Sequence, residues 1–341
     1  MNATLPNWDT LKFAYTKTDC VFSCEGSIDA DPIWGEGHYL PFENVQISPA
    51  ATVLSYGLSV FEGLKAERTE DGRILVFRVD RNAWRFGHSA NQLAMPPFPE
   101  QRFIEAALEI VLRNERFVPP AGKGTLYLRP ILFADEPQLG LRTARRYRVL
   151  IYACPVGGYF SAGDKGLRLR VLEQGRVAPG GTGSAKAAGN YAGSLNRRQS
   201  WHAQGYDDVL FLDAHEVRFV TETTGSNVFA RLKDGTIVTP PLDDQILPGI
   251  TRESVIRIAR EVLGFKVEER PLSIDEVISD AAEVFCTGTA WTVRSVGEIQ
   301  RREASHAFEK PKAAPVLLEA LRGIQSGKRP DPFGWTRAVS G

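Results

Sequence analysis

The spacing of apolar and polar residues changes its period along the chain, and this predicts a mixture of helices and strands. In QRFIEAALEIVLRNERF, residues 101–117, apolar residues return every three to four positions and would cover one face of a helix. These residues are Phe103, Ala107, Ile110 and Val111. The segments GTLYLRPILF and RYRVLIYAC are instead rich in β-branched and aromatic residues and predict strands. The pattern therefore predicts a mixed α/β chain with helices packed on sheets.

Tight turns divide further strand candidates in both halves of the chain. Asp71-Gly72 lies between two half-apolar runs in RTEDGRILVFRVD, and Asp234-Gly235 does so in SNVFARLKDGTIVTP. Asp-Gly favours the two-residue turns of β-hairpins. DDVLFLD and VRFVTE predict another hairpin, and AEVFCTGTAWTV predicts a strand followed by a tight turn.

A second amphipathic helix is predicted in GITRESVIRIAREVLG, residues 249–264. Thr251 is the expected N-cap residue, and Gly264 is the expected stop. Four apolar residues would share the buried face: Val255, Ile258, Ala259 and Val262.

Composition narrows the function classes. The 341 residues include 41 basic and 41 acidic side chains, so no net field favours nucleic acid or an acidic membrane. No apolar run is long enough to span a bilayer. The four cysteines lack metal-ligand spacing, so we expect reduced thiols and no metal site. The N-terminus lacks the pattern of a secretory leader, and we expect a cytoplasmic enzyme.

Lys186 stands alone among small residues in PGGTGSAKAAGNYAGSL, residues 179–195. A phosphate-binding loop would need glycine before this lysine and serine or threonine after it, whereas Ala185 and Ala187 flank it. The dinucleotide fingerprint fails as well, because Lys186 occupies the place of its third glycine. Taken alone, the segment favours a flexible surface loop. The alternative is a Schiff-base lysine, with room for a planar ring and with desolvation favouring a lowered amine pKa.

A pyridoxal phosphate site would need further groups, and the sequence offers a candidate for each. Tyr191 could place a phenol near the ring, and Glu222, at a strand end, could face the ring nitrogen. LPGIT leads into the second predicted helix, whose N-terminus would attract a phosphate. Arg85 and Thr289 could add donors. Each residue taken alone is as well explained by solvation or by helix initiation.

The order of the motifs carries more weight than any one of them. The chain contains, in sequence, SYGLSVFEGLKA, VFRVDRNAWRF, LYLRPILFADEPQLGL, CPVGGYF, GGTGSAKAAGNY, ILPGITRES and EVFCTGTA. This series resembles the branched-chain amino acid aminotransferases, which are class IV, fold-type IV pyridoxal-phosphate enzymes. The resemblance extends from about Phe13 to about Val296.

The resemblance implies a two-domain fold and a homodimer. Residues 1–155 would form a smaller N-terminal α/β domain, 156–165 a linker, and 166–341 a larger cofactor-binding domain. The implied cofactor contacts are Lys186 as the Schiff-base residue, Tyr191 near the ring hydroxyl, Glu222 at the ring nitrogen, and Arg85, Ile250, Thr251 and Thr289 around the phosphate.

The resemblance also implies a ping-pong transamination of amino-acid biosynthesis. An L-amino acid, branched-chain or otherwise apolar, would give its amino group to 2-oxoglutarate through the Lys186 Schiff base. The implied substrate pocket comprises Phe13, Tyr56, Phe61, Tyr127, Arg129, Tyr159 and Ala290. Leu141 would reach into the pocket of the partner subunit.

Three positions depart from the mammalian-like branch of this family. Ser226 stands where methionine is common, Trp291 follows the GTA turn, and Arg294 stands where that branch carries a second cysteine. Ser226 and Trp291 are therefore added to the substrate-contact candidates. A donor of another kind (an aromatic or polar amino acid, a D-amino acid or an amine) stays open as an alternative, as does a lyase. A non-catalytic relative would be expected to lose Lys186 or Glu222, and both are present.

Overall fold

The computed structural model describes residues 3–157, 166–308 and 310–339. These residues form two compact units. The first holds the described residues up to 157, together with Ala185–Gly189 and 323–339, and the second holds 166–184 and the described part of 190–322. This division differs from the expected boundaries by placing the Lys186 segment and the C-terminal residues with the first unit. The predicted linker falls almost entirely outside the described residues.

The first unit is built on an antiparallel sheet of eight strands. Its strands are β1 (Cys20–Ser27), β2 (Trp34–Pro41), β3 (Ser59–Phe61), β4 (Leu64–Arg68), β5 (Ile74–Phe77), β6 (Thr125–Ala134), β7 (Arg146–Val156) and β17 (Thr336–Val339). The strand order is β17-β5-β4-β6-β7-β1-β2, and β3 pairs with β6. The two runs predicted as strands are therefore the central pair, β6 and β7.

Three helices accompany this sheet: α1 (Thr52–Tyr56), α2 (Val79–Gln92) and α3 (Glu100–Arg113). All four residues predicted for the apolar face of α3 are buried, because their helical spacing turns them toward one core. The Asp71-Gly72 hairpin is also confirmed, as the connection between β4 and β5.

The second unit contains a nine-stranded sheet. Its strands are β8 (Leu167–Leu172), β9 (Asp208–Leu212), β10 (Val220–Thr223), β11 (Asn227–Leu232), β12 (Ile237–Thr239), β13 (Val267–Glu269), β14 (Ala281–Gly288), β15 (Thr292–Arg301) and β16 (Ala304–Ala307). The order is β10-β9-β8-β15-β14-β11-β12-β13, with β16 on β15. Since β10 also pairs with β11 through Glu222 and Asn227, six strands close into a ring at that point.

The helices after residue 166 are α4 (Ala188–His202), α5 (Ile250–Arg257), α6 (Ile274–Asp280) and α7 (Ala313–Gln325). Short 3-10 helices occur at Trp8–Thr10 and Glu115–Phe117. The hairpins predicted at DDVLFLD–VRFVTE and at Asp234-Gly235 are confirmed as β9–β10 and β11–β12. The mixed α/β fold is confirmed. Within the described part of the chain, none of the helices combines the length and the hydropathy that a bilayer crossing needs.

Two details of the second predicted helix are wrong. The N-cap is Gly249 and Thr251 lies inside the first turn, because the chain is already helical at Ile250. Val262 is 48 % exposed, since the last residues of the run form a π-helical turn, Ile258–Val262, that rotates them away from the α-helical face. The predicted stop at Gly264 is confirmed by its left-handed φ of +68°.

Candidate active site

Lys186 is fixed against strand β3 in the first unit. Its backbone N–H donates to Ser89 Oγ at 2.9 Å, and its carbonyl accepts from the N–H of Phe61 at 3.1 Å. The Lys186 ammonium lies 4.7 Å from the centroid of the Phe61 ring. The neighbours Ala185 and Ala187 are buried. These contacts describe a positioned lysine rather than the mobile surface loop that the segment alone suggests.

Arg85 lies one helical turn before Ser89 on α2 and is bound to a carboxylate that sequence reasoning missed. Its Nε and Nη2 donate to the two oxygens of Glu62 at 2.6 and 2.8 Å. The Glu62 side chain is fully buried and the Arg85 side chain is 4 % exposed. Because the Nε–Nη2 edge of the guanidinium faces Glu62, a phosphate bound by Arg85 would have to approach from another side. Glu62 follows Phe61 in FEGLKA, and this position alone does not distinguish a buried ion pair from a solvated side chain.

Four of the predicted pocket residues form one cluster in the first unit. The Arg129 guanidinium lies 4.9 Å from the Phe61 ring centroid and 5.3 Å from that of Tyr127, and its Nη2 donates to the Tyr127 hydroxyl at 3.3 Å. Phe13 packs edge-on against Tyr127 at 5.3 Å. A Cβ at Gly63 would lie 1.8 Å from the Tyr127 hydroxyl, so only glycine at this position leaves room for the Tyr127 side chain. The cluster combines aromatic faces with one fixed cation.

The remaining predicted pocket residues of this part of the chain lie elsewhere. Tyr56 is 43 % exposed and its hydroxyl donates to the carbonyl of Leu139 at 2.5 Å. Leu141 is 84 % exposed in the same loop. Tyr159 lies outside the described residues, and its predicted role stays a prediction.

Glu222 is buried at the point where the second unit's ring of strands closes. The carboxylate accepts from Arg176 Nη2 at 2.6 Å, from Asn227 Nδ2 at 3.3 Å and from the N–H of Leu247 at 3.4 Å. Both members of the Arg176–Glu222 pair have side chains that are at most 5 % exposed. Simple solvation of a strand-end glutamate, the alternative in the sequence, is therefore wrong. Arg176 carried no motif signal, since no spacing rule links it to Glu222.

The N-terminus of α5 has the features of an anion site. Its N-cap is Gly249, which has no side chain that could accept from the first turn, where Ile250 and Thr251 lie. A Cβ at Gly249 would lie 1.9 Å from Asn227 Oδ1, so glycine is required for this close approach. The first N–H groups of a helix need acceptors, and the helix dipole favours a negative one.

The turn between β14 and β15 carries Thr289, Ala290 and Trp291 and is backed by the turn that holds Ser226. A Cβ at Gly288, the last residue of β14, would lie 3.4 Å from the Gly225 carbonyl and 3.7 Å from Trp291 Nε1. Ser226 is buried, and its hydroxyl shares a 2.7 Å hydrogen bond with that of Thr223. The structure thus gives Ser226 an internal partner, and its contact with substrate stays a prediction.

Two further groups complete the description of the second unit. Tyr191 lies in the first turns of α4 and is half-buried. Thr287 is buried on β14, and its hydroxyl has no hydrogen-bond partner among the described residues. A buried hydroxyl of this kind is unusual and marks a place where a ligand oxygen would be stabilised. Burial raises the pKa of the neighbouring Cys286 thiol to about 12, against a weaker opposing hydrogen bond from Ser226.

Comparisons with known proteins show the family of the chain. The family model for amino-transferase class IV matches residues 59–299. The chain is 42 % identical over 338 residues to branched-chain-amino-acid aminotransferase 5, chloroplastic, of Arabidopsis thaliana, covering 98 % of this chain and 80 % of the relative. It is 41 % identical to branched-chain amino acid aminotransferase 1, mitochondrial, of Humulus lupulus, covering 96 % and 83 %.

The names of these relatives overturn one prediction. They are chloroplastic and mitochondrial proteins, so the predicted cytoplasmic location is wrong. That prediction rested on the lack of a secretory leader and on unpaired cysteines, and neither feature separates the cytoplasm from an organelle interior.

Solved structures give the same family. The crystal structure of the branched-chain aminotransferase from the thermophilic archaeon Thermoproteus uzoniensis with norvaline superposes with a TM-score of 0.80 at 29 % identity, covering 94 % of this chain and 99 % of the other. The curated relatives and the solved structure match nearly the whole chain, and the family model matches residues 59–299. The chain belongs to the class IV aminotransferases.

Proposed function

We propose that this enzyme transfers the amino group of a branched-chain L-amino acid to 2-oxoglutarate, with pyridoxal 5'-phosphate as cofactor. The observation that carries the proposal is Lys186, held by its backbone between Ser89 and Phe61 in a chain whose relatives are named branched-chain aminotransferases. Class IV aminotransferases use pyridoxal phosphate, and the described residues offer groups suited to each part of it.

Each unit, considered separately, contains groups that suit part of the cofactor. In the second unit, the buried Glu222 carboxylate suits the ring nitrogen, and the first turn of α5 suits the phosphate. The hydroxyl of Thr287, partnerless within the described residues, marks a further polar surface. In the first unit, Arg85 supplies a buried cation and Lys186 the amine.

When bound, the cofactor holds the substrate nitrogen and spreads the charge that develops at the α-carbon over its ring. Lys186 is proposed to take the proton from the substrate α-carbon as general base and to deliver it, as general acid, to the cofactor carbon that bears the amino nitrogen. The Glu222 carboxylate would hold a proton on the ring nitrogen and so strengthen the electron sink that the cofactor supplies. Arg85 in the first unit and the first turn of α5 in the second are each proposed as contacts for the phosphate.

The cluster of Phe61, Tyr127 and Arg129 supports the double specificity that such an enzyme needs. The aromatic faces suit a branched aliphatic side chain, and Arg129 suits the distal carboxylate of glutamate or 2-oxoglutarate. We also propose a homodimer in which Leu141, 84 % exposed in one subunit, is covered by the partner. Sedimentation that finds only monomers at the assay concentration would contradict the dimer.

The function is tested with a panel of amino donors and 2-oxoglutarate. Valine, leucine and isoleucine are expected to react fastest, ahead of methionine, phenylalanine, D-alanine and a primary amine. Borohydride is expected to attach the cofactor to Lys186 and to no other lysine, as seen by peptide mass analysis. Lys186→Ala is expected to abolish transamination, whereas Lys123→Ala, at an exposed lysine paired with Asp9, is expected to keep it. A protein that takes up no pyridoxal phosphate, or whose Lys186→Ala variant stays active, would refute the proposal.

A further inference from the structure

Arg176 lies in the segment that leads toward Lys186, and its guanidinium contacts three parts of the second unit at once. Its Nη2 donates to Glu222 Oε1 at 2.6 Å, to the carbonyl of Gly183 at 3.1 Å and to that of Gln245 at 3.4 Å. The Arg176 side chain is 4 % exposed. These contacts anchor the Nη2 end of the buried guanidinium, whereas its buried Nε has no hydrogen-bond partner among the described residues.

One of these parts carries a group of the proposed cofactor site, and the other two lead along the chain to such groups. Glu222 is the proposed partner of the ring nitrogen. Gly183 precedes Lys186 by three residues, and the next residue, Ser184, donates its N–H to the Asp244 carbonyl at 3.1 Å. Gln245 begins the stretch that runs through Leu247, whose N–H binds Glu222, to the first turn of α5.

The charge of Arg176 also acts on Glu222 directly. A carboxylate that is 5 % exposed is poorly solvated, and burial alone favours its protonated form. A guanidinium at 2.6 Å opposes this and favours the ionised form. The effect is larger at the carboxylate than at any atom farther from Arg176, so a proton shared between Glu222 and a ring nitrogen is shifted toward the nitrogen.

We propose that Arg176 is a positioning residue that keeps Glu222 ionised, so that the proton stays on the cofactor nitrogen, and that ties this carboxylate to the segments leading to Lys186 and to α5. This inference rests on the proposed function. It assigns to Arg176 a part in the reaction that acts through Glu222.

The test compares Arg176→Met and Arg176→Lys with a matched control, Arg231→Met. Arg231 lies in the same unit, and its side chain is 11 % exposed and paired with the buried Glu283 at 3.2 Å. Pyridoxal phosphate labelled with 15N in the ring is bound to each protein, and the nitrogen shift is measured by NMR across pH. Half-reaction rates with leucine and the melting temperature of the cofactor-free protein are measured alongside.

Arg176→Met is expected to move the nitrogen signal toward the unprotonated position at neutral pH and to slow the half-reaction by about 100-fold. Arg176→Lys keeps the charge and is expected to lie between wild type and Arg176→Met. Arg231→Met is expected to lower the melting temperature while leaving the nitrogen signal unchanged.

A wild-type nitrogen signal in Arg176→Met, or the same signal change in Arg231→Met, would overturn the proposal. If Arg176→Met does not fold, two other variants decide. A wild-type nitrogen signal and half-reaction rate in Arg176→Lys, together with a normal half-reaction rate in Glu222→Gln, would also overturn the proposal. A wild-type protein that binds no pyridoxal phosphate would refute the proposed function and this inference together. Normal transamination by Arg176→Met would refute this inference alone.

Discussion

The two units each bury an arginine–glutamate pair beside the residues proposed to hold the cofactor, but the roles are reversed. In the first unit the cation, Arg85, is the proposed cofactor contact, and Glu62 supports it through two parallel bonds of 2.6 and 2.8 Å. In the second unit the anion, Glu222, is the proposed contact, and Arg176 supports it through one bond of 2.6 Å and makes its other contacts with backbone carbonyls. The first unit therefore offers a cation held by a buried carboxylate, and the second offers an anion held by a buried guanidinium.

The difference has a physical consequence for what each pair can do. A bidentate pair fixes the plane of both groups, so Arg85 is oriented by its partner. A single-point pair leaves the carboxylate plane to be set by other donors, here Asn227 and the N–H of Leu247. Burial makes both pairs costly to break, because removing one partner takes a close opposite charge from a group that is held out of water.

The largest effect is expected for Glu62→Gln, which removes the buried carboxylate bound by Nε and Nη2 of Arg85. We expect unfolding to become easier by about 3–5 kcal/mol. Arg85 also loses the carboxylate that orients its guanidinium. The affinity for pyridoxal phosphate should therefore fall, whereas the affinity for pyridoxal, which lacks the phosphate, should change little. Chemical denaturation and equilibrium dialysis with the two vitamers measure these effects. Equal losses for both vitamers would mean that Glu62 acts through general stability and not through Arg85.

These two pairs also mark the limit of what the sequence could predict. The period of Phe103 to Val111 and the turn at Asp71-Gly72 are local, so pattern rules found α3 and the β4–β5 hairpin. The motif series carried the family and the position of Lys186. Glu62 and Arg176 were missed because their partners are distant in sequence and are brought together by packing alone. A glutamate in FEGLKA has no sequence signal that separates a buried ion pair from a solvated side chain.

A third buried pair separates support of the fold from support of the site. Glu283 accepts from Arg231 Nε at 3.2 Å and from the N–H groups of Lys312, Ala313 and Ala314 at 3.0, 2.9 and 2.7 Å, and so caps the start of α7. Glu283→Gln turns an amide donor toward these donors and should cost about 1.5–3 kcal/mol of unfolding free energy. Affinity for pyridoxal phosphate should stay at the wild-type level. A drop in affinity as large as that of Glu62→Gln would remove the distinction between the pairs.

The buried carboxylate of Asp213 is held by backbone N–H groups instead of by a cation. Burial raises its pKa, but the N–H groups of His215, Glu216, Arg218 and Phe219 outweigh burial and hold the pKa below its ordinary value. A lowered folded-state pKa stabilises the protein above the unfolded value of about 3.9, and the contribution is lost as pH falls through the folded value. Asp213→Asn should cost about 1 kcal/mol at pH 7.

The pH dependence of that cost is the sharper measurement. The difference in unfolding free energy between wild type and Asp213→Asn should be constant from about pH 6 to 8 and should shrink below about pH 4. Denaturation curves across this range test it. A difference that grows as pH falls would show that the carboxylate is not stabilised in its ionised form.

The smallest effect is expected where the same two side-chain types pair in water. Glu109 and Arg113 on α3 lie one turn apart with N···O at 2.7 Å, close to the distances of the buried pairs, but their side chains are 35 % and 48 % exposed. Water solvates both charges with or without the contact, so Glu109→Gln should cost only about 0.3–0.5 kcal/mol. The loss should also fade in roughly 0.5 M salt, since an exposed pair is screened. Denaturation of Glu109→Gln and Glu62→Gln at low and high salt places the two pairs on one scale. If burial sets the cost of losing a pair, high salt should remove most of the small loss in Glu109→Gln and little of the large loss in Glu62→Gln. Similar losses in both variants would show that the contact itself, and not its removal from water, sets the energy of these pairs.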